Sequence, residues 1–295
     1  NGYFVKQNKE NSLIYLKSSA RLNNSQALFK LGFFYYKGIL VNQDYTQAIK
    51  YFKLSSNQNY SDAFFTLGIL YENGQGCEQN YLKAIEYYKL AIKQNNSVAL
   101  LNLGIFYEYG YGVDQDYEEA KKYFKLSAKQ NNASAFFNLG RLCENEKKYS
   151  EAKEYYELSA NQNDAKALNN LGNLYFFGLG VEQSYENAEF YYQKSAKLNN
   201  PTALNNLGFI YEKGYGQVPD VDRAIYYYES AIKNGYYPSY LSLGDVYYGK
   251  KDYLKAKENY EMAKKYNYIE ALYKLGNFYY YGYGVKQDFF EAKKY

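Results

Sequence analysis

The chain has no histidine and no tryptophan, and among its 295 residues only two cysteines, one methionine and three prolines. Each shortage closes a route. Without histidine the usual neutral-pH proton shuttle is missing, and so is the commonest metal ligand. Two cysteines build neither a disulfide framework nor a structural zinc site. Charge is sparse as well: 22% of residues are charged and the net charge is +4. That is short of the basic excess with which a nucleic-acid binder works by bulk electrostatics. No apolar run is long enough for a membrane span, and no signal peptide opens this stretch. The expectations are therefore no catalytic residue, no cofactor, no metal, no nucleic acid and no membrane insertion. What the chain does have is 47% apolar residues, enough for a buried core, with 43 Tyr and 18 Phe prominent among them.

Self-similarity organises the chain. The dipeptide Leu-Gly recurs with its glycine at 32, 68, 104, 140, 172, 208, 244 and 276, in steps of 36 residues with two of 32. A second marker, Ala48, Ala84, Ala120, Ala152, Ala188, Ala224, Ala256 and Ala292, follows the same steps. Each unit reads as two helices. In the first, Ala99, Leu103, Gly104 and Tyr107 share one face; the second runs from about Tyr117 through Ala120, Phe124 and Ala128. Asp44, Asn80, Asp116, Ser184, Asp220, Asp252 and Asp288 stand four residues before the marker Ala, where an N-cap accepts from free backbone N–H groups. Lys148 breaks that series. Asn23, Asn59, Asn95, Asn131, Asn163, Asn199, Gly235 and Asn267 lie behind the second helices and suit a left-handed stop. A helical glycine costs roughly 1 kcal/mol against alanine, so the Leu-Gly position calls for a close helix contact, with the marker Ala as its expected counterpart. Paired glycines such as Gly110-Tyr111-Gly112 make a tight turn; no strand precedes them, so they are not a phosphate cradle.

The pattern from Ala99 through Phe124 resembles the Sel1-like repeat, a relative of the tetratricopeptide repeat, and the resemblance covers essentially the whole chain. Departures are Leu40 for the second loop glycine, Ser239 for the first-helix alanine, and two shortened loops closer to the tetratricopeptide form. The resemblance implies an all-α, right-handed α-solenoid of about eight helix-turn-helix repeats, with first helices lining a concave face and second helices outside. It also implies adaptor or scaffold work without catalysis. Residues 1–24 align with the loop and second helix of a preceding unit (Gly2 with Gly38, Ser12 with Ala48), and residues 25–295 form the array with its last repeat truncated. The expectation is a piece of a longer array or multidomain protein.

On tetratricopeptide geometry the residue before each Leu-Gly faces the concave wall. Four consecutive repeats place Asn there: Asn102, Asn138, Asn170 and Asn206. A carboxamide both donates and accepts, so this ladder can pair with an extended peptide backbone, as related repeat proteins do; the alternative is local bonding to a neighbouring loop. One residue earlier stand Phe29, Phe65, Leu101 and Phe137, then Asn169 and Asn205. The apolar four either select apolar side chains of a partner or pack between repeats as core. Glu72, Glu108, Glu144 and Glu212 recur at first-helix ends, as an acidic stripe or a solvated, lysine-paired face.

Cys77 and Cys143 have no same-repeat partner, which favours a reducing compartment. N-x-Ser sequons at Asn23, Asn59, Asn95 and Asn132 point to the secretory pathway instead, so localisation leans intracellular with the endoplasmic reticulum lumen open. Asp114 and Asp116 lack the remaining ligands of a calcium loop. The functional expectation is a non-catalytic scaffold binding a protein segment in its concave groove. The alternatives are an architectural subunit held through outer helices and loops, and, by family analogy, an adaptor in endoplasmic-reticulum-associated degradation or signalling.

Overall fold

A computed structural model of the chain describes residues 9–295. The described residues form seventeen α-helices and no strand, and within each of two units helices consecutive in sequence pack on each other. The chain divides into two compact units, the first running to Ala135 and the second covering Phe136–Tyr295. The first holds α1 (Lys9–Arg21), α2 (Ser25–Lys37), α3 (Tyr45–Ser56), α4 (Ser61–Asn73), α5 (Tyr81–Ile92), α6 (Ser97–Tyr109) and α7 (Tyr117–Ala128). The boundary falls within α8 (Ala133–Asn145). The second unit continues with α9 (Tyr149–Ala160), α10 (Ala165–Phe177), α11 (Tyr185–Lys197), α12 (Pro201–Lys213) and α13 (Val221–Lys233). It ends with α14 (Ser239–Gly249), α15 (Tyr253–Lys265), α16 (Ile269–Tyr281) and α17 (Phe289–Lys294). Ser12 lies on α1, whereas the alignment of Gly2 with Gly38 falls outside the described residues.

The helix ends are where the caps place them. Asp44, Asn80, Asp116, Ser184, Asp220, Asp252 and Asp288 each accept from a backbone N–H in the first turn. Lys148 makes no side-chain cap. The seven predicted stop asparagines and Gly235 all adopt positive φ, between 58° and 92°. A carboxamide tolerates that region, and glycine has no side chain to forbid it.

The core of each repeat is the Leu of Leu-Gly and the marker Ala, all from Ala48 to Ala256 being fully buried. The counterpart of the helical glycine differs from the one expected. A Cβ added at Gly68 would lie 2.5 Å from the ring of Tyr88, and one at Gly104 2.5 Å from Phe124. The bare glycine is thus a notch for the aromatic ring four residues beyond the marker Ala. From the alanine itself comes only a backbone oxygen, Ala120 O at 3.2 Å from the same point. A buried ring removes more apolar surface from water than a methyl, and this offsets the glycine's helix cost.

The 36-residue repeats carry two further devices. Except in the 201–236 repeat, where Pro219 takes its place, a loop glutamine turns back onto the first helix: Gln79 Nε2 donates to Glu72 O at 2.8 Å and to the Tyr81 hydroxyl at 3.0 Å, and Gln43, Gln115 and Gln183 do the same. One carbonyl that the helix end leaves without a partner is thereby satisfied. A tyrosine from each helix also stacks in parallel, as in Tyr71–Tyr87 at 5.5 Å and Tyr211–Tyr227 at 5.4 Å between centroids.

Candidate functional site: the first-helix face

The aromatic ring in the glycine notch sets the geometry of this face. In five repeats it is a tyrosine, and its hydroxyl points back between the first helices. Tyr88 donates to Glu72; Tyr156 donates to Glu144 at 2.5 Å; Tyr228 donates to Glu212 at 2.7 Å. Asn173 and Asp245 take the same part for Tyr192 and Tyr260, at 2.7 and 2.6 Å. Burial foremost, and then the carboxylate partner, hold Tyr88, Tyr156, Tyr228 and Tyr260 well above the ordinary tyrosine value; for Tyr192 burial alone does so. The recurring glutamates are therefore neither a free stripe nor simply solvated. Glu72, Glu144 and Glu212 are half-buried acceptors, Glu212 paired with Lys213 besides, and Glu108 is 3% exposed.

The asparagine ladder closes these bonds from the following repeat. Asn102 Nδ2 donates to the Tyr88 hydroxyl at 3.1 Å, and Asn170 Nδ2 to the Tyr156 hydroxyl at 3.0 Å. Each carboxylate–tyrosine–asparagine chain thus ties a first helix, its second helix and the next first helix. Asn206 departs: its Nδ2 reaches Asn169 Oδ1 at 3.1 Å and Asn173 Oδ1 at 3.4 Å. Asn138 Oδ1 accepts from Arg141 at 3.3 Å. The amino groups of Asn102, Asn170 and Asn206 accordingly work inside the array. The Oδ1 atoms of Asn102 and Asn206 accept from no group among the described residues, and neither is a buried unsatisfied atom.

The apolar series divides. Leu101 is 9% exposed and belongs to the core. Phe29 is half-buried between Phe52 and Tyr60, and Phe65 and Phe137 lie half-buried against Tyr88 and Tyr156, each at 5.9 Å. Each half-buried ring supports the notch and leaves one side open.

A pocket of about 240 Å³ opens in the second unit between α10 and α12, involving Asn173, Phe177, Asn205, Asn206 and Phe209 over the ring of Tyr192. Phe177 is 62% exposed. Asn205 Oδ1 accepts from Ser239 at 2.8 Å, while the Nδ2 groups of Asn205 and Asn173 bond no described residue. Donors, an acceptor and aromatic walls converge here without a charged side chain. Of its residues the sequence marks Asn206 as a candidate contact and Asn205 only as a polar break in the apolar series. The change from Phe to Asn at 169 and 205 is the signal that marks this segment.

No cluster of three or more metal-ligating side chains occurs among the described residues, and no described helix is long and apolar enough to cross a membrane. The comparisons agree with the geometry. The Sel1 repeat matches at residues 1–24, 25–60, 63–96, 97–132, 165–200, 201–236 and 269–295, and the tetratricopeptide repeat at 133–163 and 237–268, the two shortened units. A Sel1 repeat protein from Oxalobacter formigenes is 28% identical, with TM-score 0.69 over 76% of this chain and 96% of its own. A protective antigen of uropathogenic Escherichia coli displaying an SLR fold is 25% identical, with TM-score 0.54 over 95% of this chain and 77% of its own. An immunity protein from Pseudomonas aeruginosa, 17% identical with TM-score 0.51 over 71% of this chain and 81% of its own, shares the fold. No curated protein matches the chain. Repeats of this kind generally mediate protein–protein interaction, and the chain, an all-α solenoid of helix pairs, belongs to the Sel1 repeat family.

Proposed function

We propose that the protein is a non-catalytic interaction scaffold that takes an extended protein segment on its first-helix face. The observation that carries this reading is the uncharged pocket at Asn205, Asn206, Phe177 and Phe209. Its unused amide donors and the outward oxygen of Asn206 match the alternating N–H and C=O groups of a peptide backbone, and its rings suit an apolar side chain. The outward oxygen of Asn102 and the open sides of Phe29, Phe65 and Phe137 extend the same chemistry to other repeats. The non-catalytic reading rests on the absence of histidine from the sequence, and the sparse charge does not suit a nucleic acid.

A second reading, an architectural subunit held through its outer helices, is favoured by Phe190 and Tyr226, which are 48% and 64% exposed on second helices. Photo-crosslinking separates the two. A benzoylphenylalanine at Phe177 and another at Phe190 replace aromatic residues already in solvent, so the fold is spared. In an extract of the source organism, the scaffold reading expects discrete adducts from position 177 and none from 190. The reverse pattern would establish the architectural reading.

A further inference from the structure

On the opposite side of the second unit, a groove of about 540 Å³ runs between α11 and α13 over α12. Its floor is apolar, made by Leu204, Leu207 and Ala196, and Tyr226 forms an exposed wall. Two cations, Lys197 and Arg223, line it, and no acidic residue does. The Arg223 guanidinium sits over the Tyr211 ring at 5.3 Å and donates to the Tyr211 hydroxyl at 3.4 Å. Its Nε faces Asp220 Oδ2 at 3.3 Å, which leaves other donors of the five-donor fork available. The other nearby carboxylate, Glu189 on α11, is engaged by the Tyr211 hydroxyl at 2.5 Å and by Gln193 at 2.8 Å.

The neighbouring repeats act as internal controls. One repeat later, Ile232 stands where Ala196 does and Glu258 where Tyr226 does. Bulk and an acid thus replace the opening and the aromatic wall there. One repeat earlier, Ala160 and Phe190 keep the small floor and the aromatic, but Asn161 and Asn187 replace both cations. A small floor residue, an exposed ring and two cations coincide only between α11 and α13 in this unit. Charge and shape therefore select one kind of occupant.

We propose that this groove docks an acidic protein segment in which a carboxylate side chain adjoins a bulky apolar one. The carboxylate meets Arg223 and Lys197 in charge-assisted hydrogen bonds. The apolar side chain covers Leu204 and Leu207 beside Tyr226, and the stacked Tyr211 and Tyr227 stiffen the wall. This surface is distinct from the first-helix face, and either can be real without the other.

The test is selection of a random dodecapeptide display library on the whole chain, in parallel with Ala196→Ile, Arg223→Gln and a first-helix-face variant, Asn206→Ser. Ile92 and Ile232 already occupy the position of Ala196 in two other repeats, so the filled groove is compatible with the fold, and circular dichroism verifies it. The expected result is a set of peptides pairing Asp or Glu with Leu, Phe or Tyr. Each binds roughly 10-fold or more weakly to Ala196→Ile and to Arg223→Gln in fluorescence polarisation, weakens with salt, and is indifferent to Asn206→Ser. Among the peptides that Asn206→Ser does not weaken, ones that are neutral or basic, or that bind Ala196→Ile as well as the parent, would overturn the proposal. So would a selection that yields no peptide dependent on Arg223.

Discussion

The 201–236 repeat and the 237–268 repeat that follows it differ by four residues, and those residues lie in the loop between helices. Long loops do not enlarge their own helix pair; they reach the preceding one. Gly180 approaches Tyr149 so closely that an added Cβ would lie 2.7 Å from that side chain, and Gly284 approaches Tyr253 at 2.8 Å. Tyr149, Tyr185 and Tyr253 are each covered by such a loop and are half-buried. Val221 heads the second helix that precedes a short repeat, and it is 36% exposed. Short repeats also lack the stacked tyrosine pair, having Cys143 with Tyr155 and Tyr247 with Asn259 at those positions. What both kinds share is the ring in the glycine notch, which in the two short repeats and in three long ones is a tyrosine with a bonded hydroxyl. The notch is thus the common fastening of a helix pair, and the loop is an added clamp between pairs.

Alkaline pH attacks the shared fastening and has the largest expected effect. Tyr156 and Tyr260 in short repeats, and Tyr192 and Tyr228 in long ones, hold their protons more tightly folded than unfolded, for which the ordinary value is 10.0. Their contribution is complete below that value and drains away as pH rises past it, by about 1.4 kcal/mol per pH unit for each tyrosine kept protonated. Urea midpoints measured with phenolate absorbance should hold steady to about pH 10 and then fall steeply, ionisation and unfolding coinciding. Ionisation of every tyrosine before unfolding would contradict the buried hydroxyls.

Next in size, Gly140→Val in a short repeat and Gly172→Val in a long one should each cost about 3 kcal/mol. The new Cβ would sit 2.6 Å from the Tyr156 ring and 2.5 Å from the Tyr192 ring, respectively. Equal falls in the urea midpoint support a common fastening, and an effect in only one repeat removes it. Gly180→Val breaks the clamp alone. At φ +67° and against Tyr149, it should cost about 2 kcal/mol and raise proteolysis of the preceding repeat. The smallest change is a gain: Leu40 holds φ 60° where other long loops have glycine, so Leu40→Gly should add about 1 kcal/mol, read as a higher melting temperature.

Helix starts and stops were legible because they are local. An aspartate four residues before Ala120 and an asparagine behind α7 carry their own reasons. The notch was half legible: Gly104 announced a close contact, but whether Ala120 or Phe124 filled it depended on rotation of the second helix, which spacing alone does not fix. The glutamine brace was written in the recurring Gln-Asp-Tyr of the loops at 43–45 and 115–117, yet its bond runs seven residues back to a carbonyl. Position, but not orientation, was legible for the asparagines. Asn102 and Asn170 turn their amino groups inward because a tyrosine hydroxyl lies there, and that tyrosine is 14 residues away on another helix. Asn138 meets Arg141 instead. The pocket at Asn205 and Phe177 joins residues from adjacent repeats that no single motif contains.

The most direct test changes Asn102, Asn138, Asn170 and Asn206 together to serine. Ser242 holds the same position naturally in the repeat that follows Tyr228, so serine is a residue this position accepts, and it removes the outward carboxamide oxygen. Melting temperature and affinity capture from the source organism are read on the same protein. The account predicts a melting temperature close to that of the parent and loss of the captured protein partners. Retention of those partners at an unchanged melting temperature would contradict it and leave the ladder a purely internal tie.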